Sequence, residues 1–278
     1  MMLLSPLKKP LVSVNWLHNH LDASNLIVLD ATIPKVSELD DVVHKKEVIP
    51  NTLFFNLKQK FSDVSAPFPT TFPTLEQFQY EAQQLGIQQN STLVVYDDKG
   101  IYSSARVWWL FKAFGFHNVA VLNGGLPAWK TAGFEVLNNY ESVKSIGDFQ
   151  AEKPQNHMVF FDDMQQNVQL NQRLVVDARS ELRFKSLVRE PRVGLRRGTI
   201  PSSVNIPYES LLDSGIMKSE SELRTIFSKI AKPHDALTFS CGSGITACVL
   251  ALGAELAGYH DLVIYDGSWT EWGSLIPE

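Results

Sequence analysis

The hydrophobic pattern along the chain alternates short, uncharged apolar runs with longer stretches of helical period, and it does so twice. In the first half NLIVLDAT, STLVVYDD and Asn118–Leu122 (NVAVL) each place consecutive branched apolar residues before a polar turn, which predicts buried strands. Leu53–Asn56 (LFFN) predicts a shorter strand or an extended piece. Helical patterns lie between them. Leu11–His20 has Trp16 and Leu17 on one face and Ser13 in position to cap. Leu75–Gly86 is amphipathic, opened by Thr74 and closed by Gly86, and Ser103–Gly115 is apolar nearly all round. Val42–Pro50 has little pattern, residues 62–74 are made irregular by their prolines, and NGGLPAWKTAG predicts a turn with a short helix.

The same order returns in the second half. Arg173–Asp177 predicts a strand, and a long polar stretch follows over 179–203. Next comes a helix over Ser219–Lys229 with a capping box from Ser219 to Glu222. LTFS, a CGSGIT turn, a helix over Ala247–Gly258, the strand Leu262–Asp266 and GSWTEWG complete it. LIVLDAT aligns with RLVVDAR at an offset of 147 residues, and VVYDDKG through NVAVLNGG aligns with TFSCGSG through DLVIYDGS at 143 to 144. Two copies of one unit follow: a first domain over 1–140, a linker over 141–158 and a second domain over 159–278. The expected fold class is α/β, each domain a mainly parallel sheet with helices on both faces. Ligands of such sheets sit beyond the strands' carboxyl ends.

Composition narrows the function classes. A net charge of −5 gives no electrostatic case for nucleic acid or an anionic membrane. No run reaches the roughly 18 apolar residues of a membrane span. The opening MMLLSPLKKPLVS lacks the basic-then-apolar order of a signal peptide, so a reducing cytoplasmic setting is expected. The histidines are scattered and the only cysteines are Cys241 and Cys248, so neither a metal nor a cofactor is implied.

The chemistry concentrates at CGSGIT. Cys241 stands at a strand's carboxyl end, before glycines and a helix N-terminus, where backbone N–H groups and the helix dipole favour negative charge. The corresponding position of the first copy is Asp97, so one active and one scaffolding domain are expected. Three chemistries suit such a thiol, and neighbouring residues separate them. A cysteine phosphatase needs an arginine where Ala247 stands, and thiol–disulfide exchange normally uses a second cysteine where Gly244 stands. A sulfur-carrying nucleophile remains, cradled by N–H groups from Gly242, Ser243, Gly244, Ile245 and Thr246, with the hydroxyls of Ser243 and Thr246 as further donors. Upstream, RFKSLVREPRVGLRRG leaves the strand Arg173–Asp177 on the same rim. Arg183 and Arg192 are its candidates for gripping a carboxylate or sulfonate; Arg189, Arg196 and Arg197 rank lower. Asp177 and Arg179 are expected to brace this rim as an ion pair, and Cys248 to be core packing. Trp269 and Trp272 are expected to pack the last helix or line the rim. Of Trp108 and Trp109, one is expected to be buried and the other to face the domain interface.

LTFSCGSGITA, DARSELRF, REPRVGLRRG and YDGSWTEWG resemble the rhodanese-type sulfurtransferases, and specifically their tandem-domain 3-mercaptopyruvate group. VYDDKGIYSSARVWWLFKAFG and LNGGLPAW resemble that group's inactive first domain. The resemblance implies that Cys241 takes sulfur from 3-mercaptopyruvate as a persulfide and releases pyruvate. The sulfur then passes to cyanide or to a thiol such as thioredoxin or glutathione. The family's two substrate-binding arginines fall on Arg183 and Arg192. A thiosulfate-using enzyme and a non-catalytic sulfur carrier are the alternatives. The family also pairs its loop serine, here Ser243, with an aspartate and a histidine of the first domain in a proton relay. Here those places hold Asn56 and Thr70, neither of which relays a proton near neutral pH.

Overall fold

The computed structural model describes residues 2–33, 47–154 and 157–277. Its first unit runs β1 (Leu11–Val12), α1 (Val14–His20), β2 (Leu26–Asp30), β3 (Thr52–Phe54), α2 (Leu75–Gln84), β4 (Thr92–Tyr96), α3 (Ser104–Ala113), β5 (Val119–Leu122) and α4 (Gly125–Thr131). The second opens with β6 (Met158–Val159), α5 (Phe161–Leu170), β7 (Leu174–Asp177), the single turn α6 (Glu181–Phe184) and β8 (Val204–Asn205). A 3₁₀ turn (Tyr208–Leu211) and a two-stranded hairpin, β9 (Leu212–Asp213) with β10 (Ile216–Met217), follow. The unit closes with α7 (Glu220–Phe227), β11 (Leu237–Ser240), α8 (Ala247–Leu256), β12 (Leu262–Tyr265) and α9 (Ser268–Leu275).

Two five-stranded sheets result, ordered β1-β5-β4-β2-β3 and β6-β12-β11-β7-β8, and every pairing within them is parallel. The two orders correspond strand for strand, as the sequence repeat predicts, and β4 of the first sheet answers to β11 of the second. Central strands β4 and β11 are buried at every position, because helices cover both faces of a parallel sheet. Their side chains therefore read as unbroken apolar runs rather than alternating ones.

Expected caps form. The Ser13 hydroxyl accepts from Trp16 N, the Thr74 hydroxyl from Gln77 N, and Ser219 and Glu222 make the reciprocal pair at α7. Several boundaries differ. Leu11–Val12 is an edge strand on β5 rather than helix, because its amide and carbonyl groups complete that strand's ladder. The strand expected to reach Asn56 stops at Phe54; the Asn56 carbonyl accepts from Lys60 and Phe61 and its Oδ1 from Gln59, which turns the chain. Helix α5 was not expected. It buries only Met164, so its apolar stripe is too thin to stand out among DDMQQNVQ. Part of the connection expected over 42–50 lies outside the described residues.

Chain from the expected linker lies along the first unit rather than swinging free. Glu141 N donates to Thr52 O, Gly147 N to Gln83 O, Phe149 N to Ile87 O and Glu152 N to Phe114 O, and Phe149 is buried. The two units share one continuous apolar core, in which α3 packs on α8. Both Trp108 and Trp109 are buried, on the helix that packs against the second unit. Trp109 Nε1 donates to His157 O, and Lys112 covers the Trp108 ring while pairing with Glu255 of α8.

Replacing the cap by Ser219→Ala is expected to lower stability by about 1 kcal/mol, read as a shifted urea midpoint with unchanged slope.

Candidate active site

Cys241 follows the last residue of β11, and the chain then makes a tight turn into α8. Gly244 sits at φ +74°, and a Cβ there would come 2.8 Å from the carbonyl of Asp266, so only glycine fits the turn. The turn is held by α9, which follows the neighbouring strand. Ser268, at a left-handed φ of 50°, accepts from Cys241 N and Gly244 N at 3.1 Å each through its hydroxyl, which itself donates to Tyr265 O. Trp269 N donates to Cys241 O and Thr270 N to Gly242 O. With those bonds made, the N–H groups of Gly242, Ser243, Ile245 and Thr246 meet no protein acceptor among the described residues. They form a set of donors around the thiol, the arrangement that holds an anionic sulfur.

The first unit contains the same turn in a different state. Asp97 follows β4, and its carboxylate accepts from Lys99 N, Tyr102 N, Ser104 N and the Ser104 hydroxyl. That copy fills its amide cradle with its own side chain, so it has no place for an outside anion.

Above Cys241 lies a cavity of about 290 Å³. Arg183 and Arg192 both line it, as do Gly242, Ser243, Ile245 and Thr246, so the structure gathers nearly all the expected site residues at one opening. Arg183 sits directly over Gly242, where an added Cβ would lie 3.1 Å from its Nη2, and Glu190 orients it by accepting from Nε and Nη2. Arg192 Nε donates to Thr270. Burial draws its guanidinium below the ordinary value, opposed by the nearby Cys241.

Behind these arginines stands the expected Asp177–Arg179 pair, fully buried. Arg179 forks onto Asp177, donates to Glu190 Oε1 and Gly198 O, and lies over the Trp269 ring. Glu190 thus couples Arg179 to Arg183. Arg196 and Arg197 are occupied by backbone carbonyls of Ile276 and Ser186, in keeping with their lower rank. Trp269 and Trp272 are buried within and beneath α9.

The two relay positions part company. Thr70 is in the loop's wall, its hydroxyl donating to the carbonyl of Ser243 at 2.7 Å. Asn56 caps its own turn, and among the described residues no hydrogen bond joins it to the loop. The Ser243 hydroxyl itself has no hydrogen-bond partner among them.

Sequence reasoning missed three supports. Ser268 lies in a GSW stretch that reads only as a turn. Glu190 reads as one charge within a charged loop. Arg106, on α3 of the first unit, crosses to the second: its Nη2 donates to Asp266 Oδ1 at 2.6 Å and to Thr70 O at 3.1 Å, with 1% of its side chain exposed. An arginine inside SSARVWWLF was a readable signal, since burying it there demands a paired anion. Asp266 also accepts from Phe72 N, and in the reverse direction Asn123 of the first unit accepts from Met217 N. Cys248 is core, as expected; burial pushes its thiol up to about 12, and it donates weakly to Gly244 O.

The rhodanese-like domain family matches residues 13–132 and again 160–275. The chain belongs to this family and carries two copies of its domain. It is 37% identical over 277 residues to the human 3-mercaptopyruvate sulfurtransferase, covering 95% of this chain and 92% of that protein. It is 38% identical over 293 residues to the Arabidopsis thaliana mitochondrial thiosulfate/3-mercaptopyruvate sulfurtransferase 1, covering 96% and 76%. Among solved structures it matches SseA of Escherichia coli, a 3-mercaptopyruvate sulfotransferase, with a TM-score of 0.84 and 30% identity over 94% of this chain and 99% of that one. The chain is accordingly a transferase of the sulfurtransferase class.

Two outcomes follow from this geometry. Arg106→Leu strands the buried Asp266 carboxylate and is expected to cost about 3–5 kcal/mol in urea unfolding. A disulfide reagent applied to the folded protein is expected to label Cys241 alone, with Cys248 labelled only after unfolding, as peptide mapping would show.

Proposed function

We propose that the chain moves sulfur from 3-mercaptopyruvate through a Cys241 persulfide to a thiol or cyanide, releasing pyruvate. One observation carries the reading. A cysteine at a strand's carboxyl end, within four unpartnered backbone N–H groups, shares a small cavity with two arginines. Arg183 and Arg192 suit the donor's carboxylate, since guanidinium forks match that shape and stay charged.

In the first half-reaction the Cys241 thiolate attacks the donor's sulfur. A sulfur–sulfur bond forms, the carbon–sulfur bond breaks, and its electron pair passes into the adjacent carbonyl as an enolate. A proton returned to carbon gives pyruvate. The loop amides serve the sulfur anion before and after transfer, so they need not reorganise between the two states. In the second half-reaction an acceptor takes the outer sulfur and the electron pair returns to Cys241.

Thiosulfate is the second donor reading, and the surroundings of Ser243 favour it. With Thr70 bound to the Ser243 carbonyl and no partner on its hydroxyl, the loop holds no evident proton relay for the enolate. Thiosulfate needs none, because sulfite departs as an anion.

Mass spectrometry after incubation with 3-mercaptopyruvate should find the protein heavier by one sulfur, with pyruvate released. Cys241→Ser should abolish both, and full activity in that variant would overturn the reading. Arg192→Leu should lower kcat/KM for 3-mercaptopyruvate by about 10- to 100-fold, the loss of a charged hydrogen bond. Rates with thiosulfate measured alongside rank the two donors.

A further inference from the structure

A second cavity, of about 630 Å³, lies against the cysteine cavity. One wall is residues 58–70 of the first unit. The other contains Tyr102, Arg192, Ser243 and Ile245, all of which also line the cysteine cavity, so the two spaces adjoin along the catalytic loop.

Lys58 stands in this wall. Among the described residues its ammonium makes no hydrogen bond or ion pair. Burial draws it below the ordinary lysine value, and the charge of Arg192 adds to that shift. The cavity's carboxylate, Asp63, is engaged by the amide and hydroxyl of Ser65. Two cations therefore face one space, half out of water, and among the described residues neither makes an ion pair with a carboxylate. Such a pair costs free energy that a bound anion relieves. The three-carbon donor is accounted for by the smaller cavity and its two arginines, whereas this one is more than twice as large.

We propose that the larger cavity binds the sulfur acceptor and takes small thiols carrying a carboxylate, with Lys58 selecting for the negative charge. The proposal rests on the sulfur-transfer reading. The acceptor's thiolate attacks the outer sulfur of the Cys241 persulfide. A sulfur–sulfur bond to the acceptor forms, the bond to Cys241 breaks, and its electron pair stays on Sγ as the thiolate. The acceptor leaves as its own persulfide, and no outside oxidant or reductant is consumed.

The test isolates this half-reaction. Enzyme loaded to the persulfide and freed of donor is mixed with 3-mercaptopropionate, 2-mercaptoethanol or cysteamine, which are similar in size and are negative, neutral and positive. Comparing each thiol between variant and wild type cancels its intrinsic reactivity. Lys58→Met should slow transfer to 3-mercaptopropionate by about fivefold relative to 2-mercaptoethanol, the worth of one partly exposed charge contact. Lys58→Glu should extend that loss and favour cysteamine, while Lys58→Arg should retain the wild-type preference. The proposal is overturned if Lys58→Met slows all three thiols alike, slows none, or alters only donor loading. If no donor makes Cys241 one sulfur heavier, the sulfur-transfer reading itself has failed, and the two failures remain distinct.

Discussion

Backbone amides at the mouth of a parallel sheet need an acceptor, and both halves of this chain are arranged around how that need is met. After β4 the acceptor is the carboxylate of Asp97, which takes three N–H groups and a hydroxyl. After β11 the same position carries a thiol. Ser268 takes two amides, and the others remain for whatever anion the sulfur becomes. The difference between a structural turn and a reactive one is thus a single side chain on a shared backbone.

Holding the loop still is where the first unit contributes. Arg106 leaves a helix whose other residues are all buried except Lys112, and meets Asp266 behind the Cys241 loop. A buried charge persists only when paired, so this contact ties the placement of α3 to the end of β12. Thr70 is held by the same guanidinium and in turn binds the Ser243 carbonyl. Phe72 N on Asp266 and Met217 N on Asn123 repeat the arrangement in both directions, each unit lending an acceptor to a loop of the other. The first unit is therefore part of the wall around the Cys241 loop, and the larger of the two adjoining cavities lies where the units meet.

A second brace works within the second unit. Asp177, Arg179, Glu190 and Arg183 form a chain of paired charges from the buried strand end to the cavity over Cys241. Its inner members are out of water, and its outer member, Arg183, reaches over Gly242. Glu190 orients that guanidinium, so Arg183 is directed towards the opening above Cys241.

The amino-acid sequence alone determined the repeat, the parallel sheets and the position of the glycine turn that carries Cys241, because these rest on local patterns. Buried strands are continuous apolar runs, helix starts carry capping residues, and CGSGIT names its chemistry by the residues it lacks as well as those it has. Arg183 and Arg192 were legible for the same reason, being cations on a loop that must leave the strand on the thiol's side. What the tertiary structure decided is long-range. Helix α5 and the edge strand β1 have little apolar signal of their own and exist because neighbouring elements complete their hydrogen bonds and packing. Ser268, Glu190 and Arg106 gain meaning only from partners 24 or more, 7 to 11 and 160 residues away. The separate fates of Asn56 and Thr70 are of this kind too. Nothing in the sequence at positions 56 and 70 marks which will face the other domain, since Thr70 is held there by Arg106 of α3 and by the Ser243 carbonyl, while Asn56 turns back on its own segment.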